Sequence, residues 1–423
     1  MVKAAAISVL LTKVRRLIYG IATSAADSIL WYLSVPPSGC KISTGKEKGK
    51  IIMYAGEFLP PRIARLAKWC KKSGRFTTIL LCHRHGYVQK FSNREIDHTF
   101  LFRNKWHLKR LIKALPAPYI MHNFAPKSKY PFIALETLKK INPAMPVLTD
   151  YQDVLVLYYG LETKLRWLNK ELPYEKQCFQ RSDGIVAQSL EPFEGMRKWN
   201  ITDKKKRIFF PLYADNDSFC NNTKVLSADD IHLVYAGGVA GSHRDKSHYG
   251  ATQFHWLIDT LTAQKIHFHI YPSPSGLRAD YMEYEQLAAG NNYFHFHPPV
   301  EQDNLAKELS AYHYGLLPFF TGASNQSGLK YRYATTLKLF NYLEAGIPII
   351  AGADVLYQSW LVERYKLGMV FKSKDDFNAL RKQTGAIPYA GQVKNVLESR
   401  EHLSLKKHIP RLLEFYKSFG GPD

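Results

Sequence analysis

Lys338 is a single cation inside an otherwise apolar helical pattern, and the residues around it are those that would present a cation to a phosphate. The segment 331–352 reads YRYATTLKLFNYLEAGIPIIAG. Thr335 and Thr336 are suited to open a helix, where unpaired backbone N–H groups and the positive dipole end favour an anion. Gly346 closes that helix, Pro348 prevents its continuation, and 347–351 reads as a buried strand. At helical spacing Thr336, Phe340, Leu343 and Ile347 form a core stripe, while Thr335, Lys338, Asn341 and Ala345 form a second. A plain amphipathic helix with a surface lysine is the alternative. A second phosphate signal lies at 233–241, LVYAGGVAG, a strand ending in a glycine turn. Gly237 and Gly238 would let backbone approach a phosphate closely, with His243, Arg244 and Lys246 following, although a tight turn needs the same glycines.

The stretch around Lys338 resembles the nucleotide-sugar-binding segment of GT-B glycosyltransferases, whose retaining members often read P-t-K-l-f-E-Y-l-a-a-G-x-P-v-i. The resemblance implies that Lys338 neutralises the donor pyrophosphate and that Asn341 stands where a glutamate takes the ribose hydroxyls. Tyr333 replaces the first glutamate of the longer E-x7-E signature. It further implies that Arg244 and Lys246 bind the diphosphate and assist its departure. The run 312–320, YHYGLLPFF, resembles the strand before the donor loop, with His313 in place of an aspartate and 321–330 as the loop. The donor implied is a nucleotide-diphosphate sugar, UDP- or GDP-linked, with no resident cofactor and no metal needed for catalysis.

Four residues of the first half are placed to serve the reaction. Glu57 follows the first strand, His122 ends a later one, and Asp150 and Asp153 flank the end of the next. An inverting transferase needs a carboxylate or histidine to deprotonate the acceptor hydroxyl, which makes Asp153, Asp150 and Glu57 the candidate bases. In a retaining enzyme the departing phosphate can take that proton, and His122 would contact the donor sugar. For each the competing role is a cap, turn or surface residue; Asp153 could cap a helix. His267 with His269 and His295 with His297 sit two apart on strands, so each pair shares a face. Lacking a third-ligand pattern, they read as structural, and no metal site is expected.

The elements that must position these residues alternate strand and helix with short turns, the pattern of an α/β protein with parallel sheets. Strands are expected at 50–55, 77–82, 119–122, 147–150, 184–188 and 207–210, then at 231–236, 267–271, 293–297, 314–318, 347–351 and 368–371. The division is an N-terminal amphipathic segment (1–45), an acceptor domain (46–214), a linker (215–230), a donor domain (231–400) and a last helix (401–423) that could cross back onto the first domain. Two doubly wound Rossmann-like domains face a central cleft in this arrangement, with ligands at the carboxyl ends of the strands. This is the GT-B fold.

The chain of 423 residues carries 58 basic and 36 acidic side chains, a net charge of +22. That excess favours anionic partners: a membrane surface, phosphorylated substrates or nucleic acid. No nucleic-acid-binding signature accompanies it. Leu10, Val14, Leu17, Ile18, Ile21 and Ala25 share a helical face flanked by Lys13, Arg15 and Arg16, which suits a helix lying in a membrane interface, or one packed on the first domain. Asp27 argues against a transmembrane span, and five cysteines without pairing logic fit a reducing cytosol. The reading is a glycosyltransferase at the cytoplasmic face of a membrane, transferring to a lipid-linked or growing surface polysaccharide. The rivals are a catalytically silent GT-B-like scaffold, a sugar-nucleotide epimerase of the same fold, and a polyanion-binding protein.

Overall fold

The computed structural model describes residues 50–84, 95–125, 127–221, 230–321, 328–386 and 388–419. The amphipathic segment 1–45 and most of the donor loop lie outside these residues. The first half alternates β1 (Lys50–Gly56), α1 (Pro61–Lys72), β2 (Phe76–His83), β3 (His98–Phe102), α2 (Lys105–Ala114), β4 (Ile120–Ala125), α3 (Lys129–Ile141), β5 (Val147–Tyr151), α4 (Leu155–Tyr159), α5 (Arg166–Arg181), β6 (Gly184–Ala187), α6 (Glu191–Lys198) and β7 (Lys206–Phe209). The second runs β8 (His232–Gly237), α7 (Lys246–Tyr249), α8 (His255–Ala263), β9 (His267–Pro272), α9 (Arg278–Ala289), β10 (Phe294–Phe296), α10 (Gln302–Leu309), β11 (Tyr314–Leu317), α11 (Gly328–Tyr333), α12 (Leu337–Ala345), β12 (Ile349–Gly352), α13 (Leu356–Arg364) and β13 (Gly368–Phe371). Three helices follow: α14 (Leu380–Ala386), α15 (Tyr389–His402) and α16 (Leu405–Lys417).

Each half is a wholly parallel sheet, ordered β3-β2-β1-β4-β5-β6-β7 in the first and β10-β9-β8-β11-β12-β13 in the second. Strands β1, β2, β4 and β12 are almost continuously buried, as both-faced burial in a parallel sheet requires. Strand order reverses between β1 and β4 and again between β8 and β11. Crevices open at such points beyond the carboxyl ends, so β1 and β8 deliver their last residues to the cleft.

Every expected strand is present within a few residues, and β3 is additional. It is a short edge strand, HTFLF, with four of its five residues only partly buried, so it lacks a buried face to announce it. The last helix returns to the first domain. Leu405, Ile409, Leu412 and Tyr416 of α16 pack with Ile63, Leu66 and Phe210. The crossing is fixed where Ala214 exchanges backbone hydrogen bonds with Leu403 and Leu405 at 2.9 and 2.8 Å.

Candidate functional site

The site around Lys338 is built from β8 and α12. Gly237 ends β8 with φ of +152°, a conformation side chains rarely adopt, and a Cβ there would lie 2.1 Å from Lys338 Cε. The glycine therefore makes the space in which Lys338 lies across the strand end. The Lys338 ammonium sits 5.4 Å from the Tyr235 ring and 5.5 Å from the Phe319 ring. No carboxylate pairs with it among the described residues. Burial, aided by the nearby positive charge of Lys330 and opposed by Asp153, draws its pKa down to about 8. A half-buried cation held only by aromatic faces is short of an anion.

That anion has room. A cavity of about 720 Å³ is lined by Gly237, Gly238, Lys338 and Asn341, by Ser273 and Ser275 after β9, by Glu301 and Gln302, and by Phe58 and Leu59 of the first domain. At the amino end of α12, Thr336 occupies the cap position without a side-chain cap bond; its N–H and hydroxyl go instead to Gln358 Oε1, at 3.0 and 2.7 Å. The buried Thr335 hydroxyl makes no hydrogen bond. The helix end thus keeps unpaired donors. Gly346, at φ +74°, closes the helix.

The second stripe of α12 is largely enclosed. Ala345 is wholly buried, and Asn341 lies against Gln302 and Arg65, its Oδ1 accepting at 3.1 and 3.5 Å. The cause is that α12 is covered by α10 on one side and by α1 of the first domain on another. Arg65 of α1 makes a bidentate pair with Glu344 at 2.6 and 3.0 Å. Arg244 and Lys246 are absent from the cavity wall. Arg244 is clamped by Asp280 through two 3.1 Å bonds and stacks on Tyr249, while Lys246 is exposed at the start of α7.

In the first domain the structure corrects two expectations. Asp150 and His122 are fully buried and do not reach the cleft. Asp150 Oδ2 accepts from Arg62 Nε at 2.7 Å and from His122 Nε2 at 3.3 Å; His122 Nδ1 then accepts the Tyr416 hydroxyl at 2.6 Å. Burial works against the Asp150 carboxylate, but Arg62 and His122 hold its pKa below the usual range. Their strands point these side chains to the face that α1 and α16 cover, so the row Arg62–Asp150–His122–Tyr416 fastens the returning helix and is closed to substrate. Glu57 pairs with Lys127 at 3.0 Å and lines a separate cavity of about 820 Å³ with Lys129, Lys170, Trp167 and Tyr174.

Asp153 stays at the cleft. It caps no helix, since α4 begins after Val154, and instead reaches across the domains to Lys330 at 2.8 Å. Its segment is held from behind by two buried glutamates. Glu191 accepts from Val154 N–H at 3.1 Å, and Glu175 from Leu155 and Val156 N–H at 2.6 and 3.2 Å. Burial pushes Glu191 up to about 8 and Glu175 to about 7. Lys330, Glu301 and the serines after β9 escaped sequence reasoning. The run Pro272-Ser-Pro-Ser-Gly276 closing a strand was the available signal for the last of these.

Residues 258–414 match the family of the glucosyltransferase 3-like, C-terminal domain. No curated protein matches the sequence. Among solved structures, sucrose-phosphate synthase from Thermosynechococcus elongatus is similar at 15% identity and TM-score 0.62, covering 87% of this chain and 98% of that one. Trehalose 6-phosphate synthase from Burkholderia multivorans follows at 8% and 0.55, covering 87% and 98%. The UDP-GlcNAc 2-epimerase of Neisseria meningitidis, solved with UDP-GlcNAc bound, stands at 11% and 0.52, covering 87% and 100%. At such identities the likeness fixes the fold. The chain has the GT-B architecture, and a glucosyltransferase-family domain is matched in its second half.

Proposed function

We propose that the cavity beneath Lys338 takes the nucleotide and diphosphate of a UDP- or GDP-sugar, and that the sugar is transferred to a hydroxyl of a lipid-linked or growing surface polysaccharide. The half-buried Lys338 ammonium, lying over Gly237 without a carboxylate partner, carries this reading. Displacement at the anomeric carbon leaves charge on the departing diphosphate. Lys338 and the uncapped end of α12 are the donors available to stabilise it. Arg244, committed to Asp280, is assigned to hold the turn after β8.

Asp153, paired across the cleft with Lys330, is the carboxylate nearest to this chemistry of those the sequence nominates. The cavity bounded by Trp167, Tyr174, Lys127, Lys129 and Lys170 suits an acceptor that carries both sugar rings and negative charge. With the net charge of +22 this supports work at an anionic membrane surface on the cytoplasmic side. No described helix is long and apolar enough to cross a membrane.

The test is thermal unfolding against UDP, GDP, ADP and CMP. One nucleotide should raise the midpoint of the intact chain and fail to do so in Lys338→Ala. No rise with any of the four would overturn the donor assignment. Product analysis with the matching nucleotide sugar then separates transfer, which frees the nucleotide, from epimerisation, which does not.

A further inference from the structure

The second sheet carries a row of histidines on one face that the transfer reaction does not use. His232 opens β8 and lies in register with His267, which opens β9; His269 is in register with His295. His313 joins from the start of β11, its Nδ1 accepting the His232 N–H at 2.9 Å. The rings stack, His232 on His267 at 4.4 Å and His269 on His295 at 4.3 Å between centroids. The two sequence pairs lacked a third ligand because the third comes from a neighbouring strand.

We propose that His232, His267 and His269 form a binding site for a divalent transition-metal ion of the zinc class. One ring nitrogen from each lies within 4.8 Å of the others, and His232 Nδ1 stands 2.9 Å from His269 Nε2. A tetrahedral ion held at about 2.1 Å from each nitrogen needs them about 3.4 Å apart, and the stacked His232 and His267 rings must turn about their side-chain bonds to converge on it. The outer shell is already present. Asp230 Oδ1 accepts from His232 Nε2 at 2.7 Å, which leaves Nδ1 as the bare nitrogen facing the site. On the far side His269 Nδ1 meets His297 Nε2 at 2.9 Å, and His267 Nδ1 meets His295 Nε2 at 2.9 Å.

Binding requires two linked tautomer changes, at His269 and His297. In the metal-free row the proton between His232 and His269 sits on His269 Nε2. When an ion takes both bare nitrogens, His269 carries its proton on Nδ1 and donates to His297, whose own proton moves to its other nitrogen. No net proton is lost. His232, partly exposed, gives the ion a route in and a water for its fourth position. The row begins at the amino ends of β8 and β9, about 16 Å by strand length from the carboxyl ends that meet the donor cavity. A structural ion is therefore implied, and the inference is independent of the donor assignment.

The test uses the untagged full chain freed of metal with a chelator. Titration with Zn²⁺ alone should show one saturable site and a raised thermal midpoint, and Co²⁺ should give the visible absorption of a tetrahedral nitrogen site. His232→Asn with His267→Asn should weaken Zn²⁺ binding at least tenfold while any nucleotide-induced stabilisation persists. His232→Asn alone, at a partly exposed strand start, serves if the double variant does not fold. Absence of saturable binding by the folded chain, or unchanged affinity in these variants, would overturn the proposal.

Discussion

Replacing Lys338 by methionine should stabilise the ligand-free protein and remove most of its response to nucleotide. These opposite signs are what separate a phosphate ligand from a packing residue. Burial moves the lysine from its ordinary 10.5 to about 8. Keeping it charged below pH 8 therefore costs the folded state roughly 3 kcal/mol, which the neutral side chain recovers. The unfolded chain binds the proton more tightly than the folded one between about pH 8 and 10.5. Wild type thus gains stability over that interval, and the variant's advantage should shrink to nothing as the pH rises. A charge-assisted contact to phosphate contributes about 1.5–3 kcal/mol, so the variant should bind nucleotide roughly 10- to 150-fold more weakly. At a ligand concentration of about 100 Kd wild type gains about 2.7 kcal/mol; after a 100-fold loss of affinity the variant gains only about 0.4. Thermal unfolding with and without nucleotide at pH 7 reads both quantities. A methionine variant that is less stable alone yet keeps its nucleotide shift would refute the reasoning.

Gly237→Ala places a methyl group in the volume of Lys338 Cε at a φ unfavourable to alanine, so nucleotide affinity should fall at least tenfold, read by calorimetry on the folded variant. Asp150→Asn leaves Arg62 buried without its countercharge; it should lower unfolding free energy by about 3–5 kcal/mol in urea while transfer per folded molecule is unchanged. Glu191, raised by burial to about 8, binds its proton more tightly in the folded state than in the unfolded one. Its contribution is present below the ordinary glutamate range and is lost as pH rises through 8. Glu191→Gln should accordingly be the more stable protein at pH 9 by a few kcal/mol and differ little at pH 4, checked by thermal midpoints across that range.

What could be read from sequence was what local rules determine. The strand ending in Gly237 and the helix Leu337–Ala345 each carry their own start, stop and periodicity, so both elements were legible, while their meeting was not. Asp150 and His122 were misread because a strand shows that two faces exist but not which one a distant helix covers. Here the covering helix is α16, and Tyr416 lies 294 positions beyond His122. The third histidine of the metal site is hidden for the same reason: sheet register alone brings His232 beside His267. Arg244 shows a different limit, since a basic residue after a glycine turn serves a phosphate or an internal aspartate with the same sequence, and Asp280 holds it in the fold.

The amide at Asn341 follows from what α12 does on its other side. Glu344, one turn on, is bound by both guanidinium nitrogens of Arg65 and accepts the Asp215 N–H at 2.8 Å, joining the two domains at the base of the cleft. A glutamate at 341 would set a second carboxylate three residues away, competing for a guanidinium already paired with Glu344, and burial would force one of the two to take a proton. The amide avoids this and still accepts weakly from Arg65 at 3.5 Å. Among the described residues lining the donor cavity, Glu301 is then the remaining carboxylate. It is expected to take over the ribose hydroxyls, and the contact has a signature that a mere wall residue lacks. Wild type should prefer UDP or GDP, whichever binds, over its 2′-deoxy counterpart, and Glu301→Gln should erase most of that preference, about 1.4 kcal/mol or tenfold, with inorganic pyrophosphate affinity unaltered. Equal loss of pyrophosphate and nucleotide binding in the variant would show that Glu301 shapes the cavity without reading the sugar.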